Sequence, residues 1–109
     1  MIEWLKSFFR PQPVGQVVRS SRWSSVRKEY LQRWNWCAAC GRKDSLEVHH
    51  IIPVSQDKEQ ELVIDNLITL CRPTCHLLIG HLNDWSSWNS QVRHDANYLL
   101  GKVRNRPKG

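Results

Sequence analysis

The sequence predicts a small α+β domain, and three observations carry that expectation. Residues 20–34 repeat apolar side chains at helical intervals, Leu46, Val48 and His50 alternate as a strand does, and two pairs of cysteines flank the hairpin that this strand begins. With 109 residues, 40% of them hydrophobic, and six tryptophans, the chain can bury one modest core. Chains of this length often draw part of their stability from a metal or from disulfides.

Residues 1–19 read as an N-terminal extension. "FFRPQPVGQ" combines two prolines and a glycine, which interrupts regular structure. "MIEWLKSFF" carries Glu3 and Lys6 and lacks the long apolar centre of a secretory signal. No run approaches the roughly 18 apolar residues of a spanning helix. A cytoplasmic protein with no membrane partner is expected. From Ser20, "SSRWSSVRKEYLQRW" sets Trp23, Val26, Tyr30 and Trp34 on one helical face, with Ser20 or Ser21 as N-cap. Arg22, Arg27, Lys28 and Arg33 occupy the opposite face.

"WCAACGRKDS" makes a knuckle closed by Gly41 and leads into a strand through Leu46, Val48 and His50. "PVSQDKEQELVID" is polar and proline-led, a long surface loop, and "NLITL" is a second strand able to pair antiparallel with the first. "RPTCHLLIGHL" begins a helix, with Pro73 and Thr74 as its start signals. "NDWSSW" is a tight link to a final helix, "NSQVRHDANYLLGKV", for which Asn89 is the expected cap. The domain then spans 20–103, and 104–109 is a basic tail.

Cys37 and Cys40 are separated by two residues, Cys71 and Cys75 by three, and the pairs flank the hairpin. A reducing compartment disfavours disulfides, and two such knuckles supply the four thiolates of a structural zinc site. Buried apolar cysteines would explain neither the pairing nor the placement. "CRPTCH" is one residue longer than the c-type haem signature. That reading fails, because it needs export and leaves Cys37 and Cys40 without a role.

The net charge of +6 is uneven. Residues 1–36 carry seven Lys/Arg against two acids, residues 37–70 three against six, and residues 71–109 six against two. Basic flanks around an acidic middle suit a polyanion gripped on either side of a working centre, although solubility alone also accounts for such charges.

His49 and His50 end the first strand and point to opposite faces. If all four cysteines hold one zinc, the helix start is stapled near the first strand, and His76 can meet His49 across the gap. Two converging imidazoles then make a second metal site, with positions open to water and phosphate.

In this combination the chain resembles the HNH endonucleases, in particular the zinc-stapled forms of many phages and mobile elements. The matching stretches are "VHHIIP", "DNLITLC", "CH" and the downstream "GH", within a resemblance running from about Ser20 to Leu100. It implies a ββα-metal core with a four-cysteine zinc site and flanking helices. The implied activity is metal-dependent hydrolysis of DNA phosphodiesters, leaving 5′-phosphate and 3′-hydroxyl ends, in a bacterial or phage-infected cell. Position by position, His49 and His76 become ligands of a catalytic divalent ion. His50 becomes the general base, and Asn66 the brace of the long loop.

The first ligand is often aspartate in the family. Histidine there resembles the colicin-type nucleases and moves the preference from Mg2+ toward Mn2+, Ni2+, Co2+ or Zn2+. That branch has a further histidine one helical turn after the second ligand. Here His81 follows His76 by five residues, which on an α-helix leaves it roughly 140° off the same face. His81 joins the ion only if the helix starts late or is irregular; otherwise it is a core or DNA-facing imidazole.

DNA is the expected partner, with phosphate contacts from Arg22, Arg27, Lys28 and Arg93, and from Lys102, Arg104 and Arg106 near the C-terminus. Phage packaging or other DNA-processing proteins are partners by analogy, and the oligomeric state is open. Trp85 and Trp88 are expected in the core against Trp23 and Tyr30, and His94 in solvent. The rival reading is a non-catalytic, zinc-bound nucleic-acid-binding module of a larger DNA-processing complex. A purely structural zinc protein would leave the charge distribution idle.

Overall fold

Strand alternation organises the molecule. The structure, a computed structural model, describes residues 18–109, so nearly all of the extension expected over 1–19 lies outside the described residues. Strands β1 (Leu46–His50) and β2 (Leu67–Cys71) form an antiparallel hairpin in which Leu46 faces Cys71 and His50 faces Leu67. Val48 and His50 therefore share one face with Leu67 and Thr69, while Glu47 and His49 share the other with Ile68 and Leu70.

Helix α1 (Trp23–Arg33) covers the first face. Tyr30, Val48 and Leu67 pack into a buried cluster edged by Trp23, Val26, Leu31 and Trp34, the face that the periodicity predicts. Two hydrogen bonds fasten the layers. The Tyr30 hydroxyl donates to the Leu67 carbonyl at 2.8 Å, and the Thr69 hydroxyl to the Trp34 carbonyl at 2.8 Å. The helix begins at Trp23, later than the expected caps. Ser20 contributes one step earlier, its Oγ accepting from the Arg22 N–H at 3.1 Å.

The second face meets helix α2 (Val92–Arg104) and a short π-helical turn, His76–Gly80. Here Ile68, Leu70, Val92 and Ala96 pack with the cysteines and with Ile79 and Leu99. Lying between two layers, β2 is buried at every position. Its bounds sit one residue later than the expected "NLITL": Asn66 reaches the end of the first strand only through its carbonyl, which accepts from the Ile51 N–H at 2.8 Å, while its own N–H donates to the Val63 carbonyl at 2.9 Å and its side chain turns into the loop. Arg104 still belongs to α2, so the basic tail starts one residue beyond the expected boundary.

Asn89 is a joint more than a cap. Its Oδ1 accepts from the Gln91 N–H at 2.9 Å, which helps start α2, and its Nδ2 donates to the Ile79 carbonyl at 3.0 Å. The Asn89 N–H donates to the Gly80 carbonyl at 3.1 Å, so carbonyls at the end of the π-helical turn are satisfied from this one residue.

Candidate functional site

The cysteine knuckles converge as their spacing predicts. Gly41, at φ 81°, closes the first knuckle in a left-handed conformation that suits glycine, and its N–H donates to the Cys37 carbonyl at 2.9 Å. The second pair brackets the end of β2 and the start of the following helical segment. The four Sγ atoms lie within 4.8 Å of one another. Tetrahedral zinc with bonds of about 2.3 Å sets its sulfurs roughly 3.8 Å apart. Cys40 and Cys71 Sγ stand at that separation, 3.8 Å. Burial, then the neighbouring sulfurs, pushes the Cys75 thiol up. Holding all four as thiolates in so closed a space takes a cation among them, and the set fits a structural metal such as zinc.

Directly after Cys75 comes His76, and the sulfur cluster sets it over β1. His49, His76 and His81 bring ligand nitrogens within 4.8 Å of one another, with ring centroids 4.9, 4.9 and 5.0 Å apart. An α-helix would have left His81 on another face. Instead the His81 N–H is shared between the His76 carbonyl at 3.1 Å, five residues back, and the Leu77 carbonyl at 3.2 Å. This wider winding carries residue i+5 round to lie nearly above residue i. The π-helical turn is the irregularity that the spacing required.

Each ring is prepared for a cation in its own way. Nδ1 of His76 donates to the Glu47 carboxylate at 3.0 Å, and Nδ1 of His81 to the Ser87 carbonyl at 2.7 Å, which leaves both Nε2 lone pairs free. Histidine ligands of metals characteristically have such outer partners. Nε2 of His49 is buried with no hydrogen-bond partner among the described residues, an arrangement that costs about 1–3 kcal/mol unless something satisfies the atom. Burial, then His76 and His81, holds the His49 pKa down to about 2, and burial also lowers that of His81. Neutral imidazoles with converging lone pairs and one orphaned nitrogen fit a divalent cation. Gly80 makes room for them. A Cβ there would lie 3.1 Å from His49 Cε1 and 3.3 Å from its ring nitrogens.

His50 points away from these three, toward α1. Its ring packs on Trp23, with centroids 4.4 Å apart, and its Nε2 donates to the Glu61 carbonyl at 2.9 Å. That bond fixes the tautomer and leaves Nδ1 as an acceptor. Burial lowers the His50 pKa, with the Arg19 charge adding to the shift and the Glu61 carbonyl opposing it. The loop that carries Glu61 is held by Asn66. Its Oδ1 accepts from the Ile52 N–H at 2.8 Å, and its Nδ2 donates to the carbonyls of Ile52 and Gln60 at 3.0 and 3.1 Å. The Glu61 carboxylate, itself buried, accepts from the Ser20 N–H at 2.8 Å and ties the chain before α1 onto the same loop.

All four histidines line one open cavity of about 350 Å³, together with Arg19, Pro53, Val54 and Trp85. Trp85 corrects an expectation. It does not pack on Trp23 or Tyr30 but stands half-exposed beside His76 and His81, because the link from residue 82 to 87 folds back over the site. Trp88 lies beside Ile51, Ile52 and Asn66, away from α1. Arg27 and Lys28 are exposed on α1, and Arg22 is exposed at its N-cap. Arg93 is engaged within the fold, its Nη2 donating to the carbonyls of Asp65 and Leu67 at 3.2 and 3.0 Å. His94 is exposed, as expected, with its Nδ1 3.3 Å from Asp95. Sequence reasoning passed over Arg19, Glu47, Glu61 and Gly80. Of these, only Glu47 carried a signal, lying two residues before His49 on the same strand face.

The family model for the HNH endonuclease matches residues 37–81. Residues 37–81 are an HNH domain. The match opens on the first cysteine of the sulfur cluster and closes on His81, so it holds every candidate ligand together with His50 and Asn66. HNH domains are generally nucleases. No curated protein and no solved structure matches the chain significantly.

The site generates three predictions. Metal analysis after exhaustive dialysis should find one tightly held zinc per chain, and Cys37→Ser should unfold the domain, read by circular dichroism. Gly80→Ala should push the His49 ring out of place and weaken divalent-ion binding at least tenfold by calorimetry, with the zinc retained. The third concerns pH. The folded chain keeps His49, His50 and His81 neutral below the ordinary histidine value, whereas the unfolded chain protonates them near 6.5. Stability of the zinc-loaded chain should therefore be full above about pH 6.5 and decline as pH falls below it. Denaturant titrations between pH 8 and pH 5 check this, and a flat profile would contradict it.

Proposed function

We propose that this chain is a metal-dependent DNA endonuclease. The observation that carries the reading is the pairing of a tautomer-fixed His50 with three converging imidazoles at the mouth of one cavity. A module that only binds nucleic acid has no use for a base oriented in this way.

His49, His76 and His81 would hold the ion, and their all-nitrogen donor set favours Zn2+, Ni2+, Co2+ or Mn2+ over Mg2+. A divalent ion so held supplies Lewis acidity, polarising the phosphate and offsetting charge on the departing 3′ oxygen. His50 Nδ1 accepts the proton of the attacking water as its oxygen bonds to phosphorus, in line with the P–O3′ bond that breaks. The Glu61 carbonyl, receiving His50 Nε2–H, steadies the imidazolium that results. Asn66 acts one step further out, fixing the backbone on which that carbonyl sits. Arg19, in the cavity beside His50, offers a guanidinium to a non-bridging phosphate oxygen. Arg22, Arg27 and Lys28 extend a positive surface along which a phosphate backbone gains affinity without sequence choice. On this reading the substrate is DNA, met in the cytoplasm of a bacterial or phage-infected cell.

Supercoiled plasmid incubated with the chain and Mg2+, Mn2+, Ni2+ or Co2+ should be nicked and then linearised. His50→Ala should slow this by about 10²–10⁴-fold, the usual contribution of a general base, while the chain keeps its zinc and its fold. Undiminished cutting would remove His50 from its role, and DNA binding without cutting under every ion would favour the binding module.

A further inference from the structure

Trp85 is a large aromatic residue that neither the core nor the hydrolytic chemistry employs. It is 48% exposed, yet the link that carries it is tightly built. Leu82 and Asn83 both take left-handed backbone conformations, φ 53° and 65°, which residues with a side chain adopt at a cost. The Asn83 N–H donates to the Leu77 carbonyl at 2.9 Å and the Asp84 N–H to the His81 carbonyl at 3.0 Å. The Asp84 carboxylate then accepts from the Ser86 N–H and hydroxyl at 3.0 and 2.8 Å, while the Ser87 carbonyl holds His81 Nδ1. Backbone strain held in place by so many bonds tends to sit at functional sites. Here it holds the indole partly in solvent at the cavity rim, 5.2 Å from the His76 ring and 5.0 Å from that of His81, in a cavity that Pro53 and Val54 also line.

We propose that Trp85 is a stacking platform for an unpaired nucleobase next to the phosphate bound at the histidine site. The placement of that phosphate rests on the nuclease reading above. A nucleobase stands one sugar away from its phosphate, so a phosphate at the imidazoles brings a neighbouring base to the rim where the indole is exposed. In an intact duplex, both faces of each base are already stacked on neighbours. An indole can offer a face only to a base that is unstacked, as in a single strand, a flap or a frayed end. Every base presents such a face, so the platform selects unpaired structure rather than sequence. The site would therefore prefer single-stranded or locally opened DNA over closed duplex.

The test uses the full zinc-loaded chain with further Zn2+ added to fill the histidine site, and a short single strand carrying one 2-aminopurine, whose fluorescence is quenched on stacking, read on mixing before turnover. The unmodified chain should quench the probe, Trp85→Ala should abolish the quenching, and Trp85→Phe should keep part of it. Trp85→Ala should also weaken single-strand affinity by about tenfold, the usual loss for one stacked base, with affinity for closed duplex unchanged. Zinc content and melting of both variants establish that they are folded. Equal quenching by Trp85→Ala and the parent would overturn the proposal and leave Trp85 as a cover over the imidazoles. So would binding by the parent without quenching, or no binding at all. Quenching that depends on Trp85, in a chain that cuts no plasmid under any ion, would keep the platform and discard the nuclease reading.

Discussion

The convergence of four sulfurs is the constraint on which the rest depends. Cys37 and Cys40 come from the knuckle before β1, Cys71 ends β2, and Cys75 immediately precedes His76. Bringing these four together fixes the start of the π-helical turn against the hairpin and so sets the approach of His76 to Glu47 and His49. A domain this small has two modest apolar clusters, and the larger one is built around the sulfurs themselves. Fold and candidate active site are thus secured at one point, and loss of the cluster would dissolve both together.

From that clasp the hairpin distributes work by alternation. Glu47 and His49 look toward the π-helical turn, while Val48 and His50 look toward α1, and the strand ends where both imidazoles can reach the same cavity. This is the physical sense of two adjacent histidines. One face brings His49 to the converging imidazoles in a closed, neutral environment, and the other holds His50 with its proton position set by a loop carbonyl. The loop is in turn held by an asparagine that saturates both ends of its amide on backbone groups. Three of the rings are oriented by neighbouring groups: His50 by the Glu61 carbonyl, His76 by Glu47 and His81 by the Ser87 carbonyl.

Much of this was legible in the residues. The α1 periodicity, the strand through Leu46, Val48 and His50, the cysteine pairs and the sequence His-His, Asn, Cys-His all correspond to what the structure assembles. What was not legible depends on backbone detail that side-chain patterns do not encode. Whether five residues amount to one turn or to a turn and a half depends on whether the His81 N–H reaches back to the His76 carbonyl as well as to that of Leu77, and "HLLIGH" does not announce a π-helical winding. The same holds for Trp85. An aromatic residue after a helix reads as core by composition, and only the left-handed pair at Leu82 and Asn83 turns it back over the imidazoles. Arg93 read as a free cation because its carbonyl partners lie more than twenty residues away.

The bond from the Ser20 N–H to the Glu61 carboxylate bears on where this nuclease-like unit begins. The family match opens at residue 37, but the ring of His50 leans on Trp23, and its loop is moored to residue 20. A fragment trimmed to the matched segment would keep its sulfurs and converging imidazoles yet lose the wall behind His50. The working boundary of such a unit is drawn by what braces that ring, and here this lies well upstream of the recognisable motif.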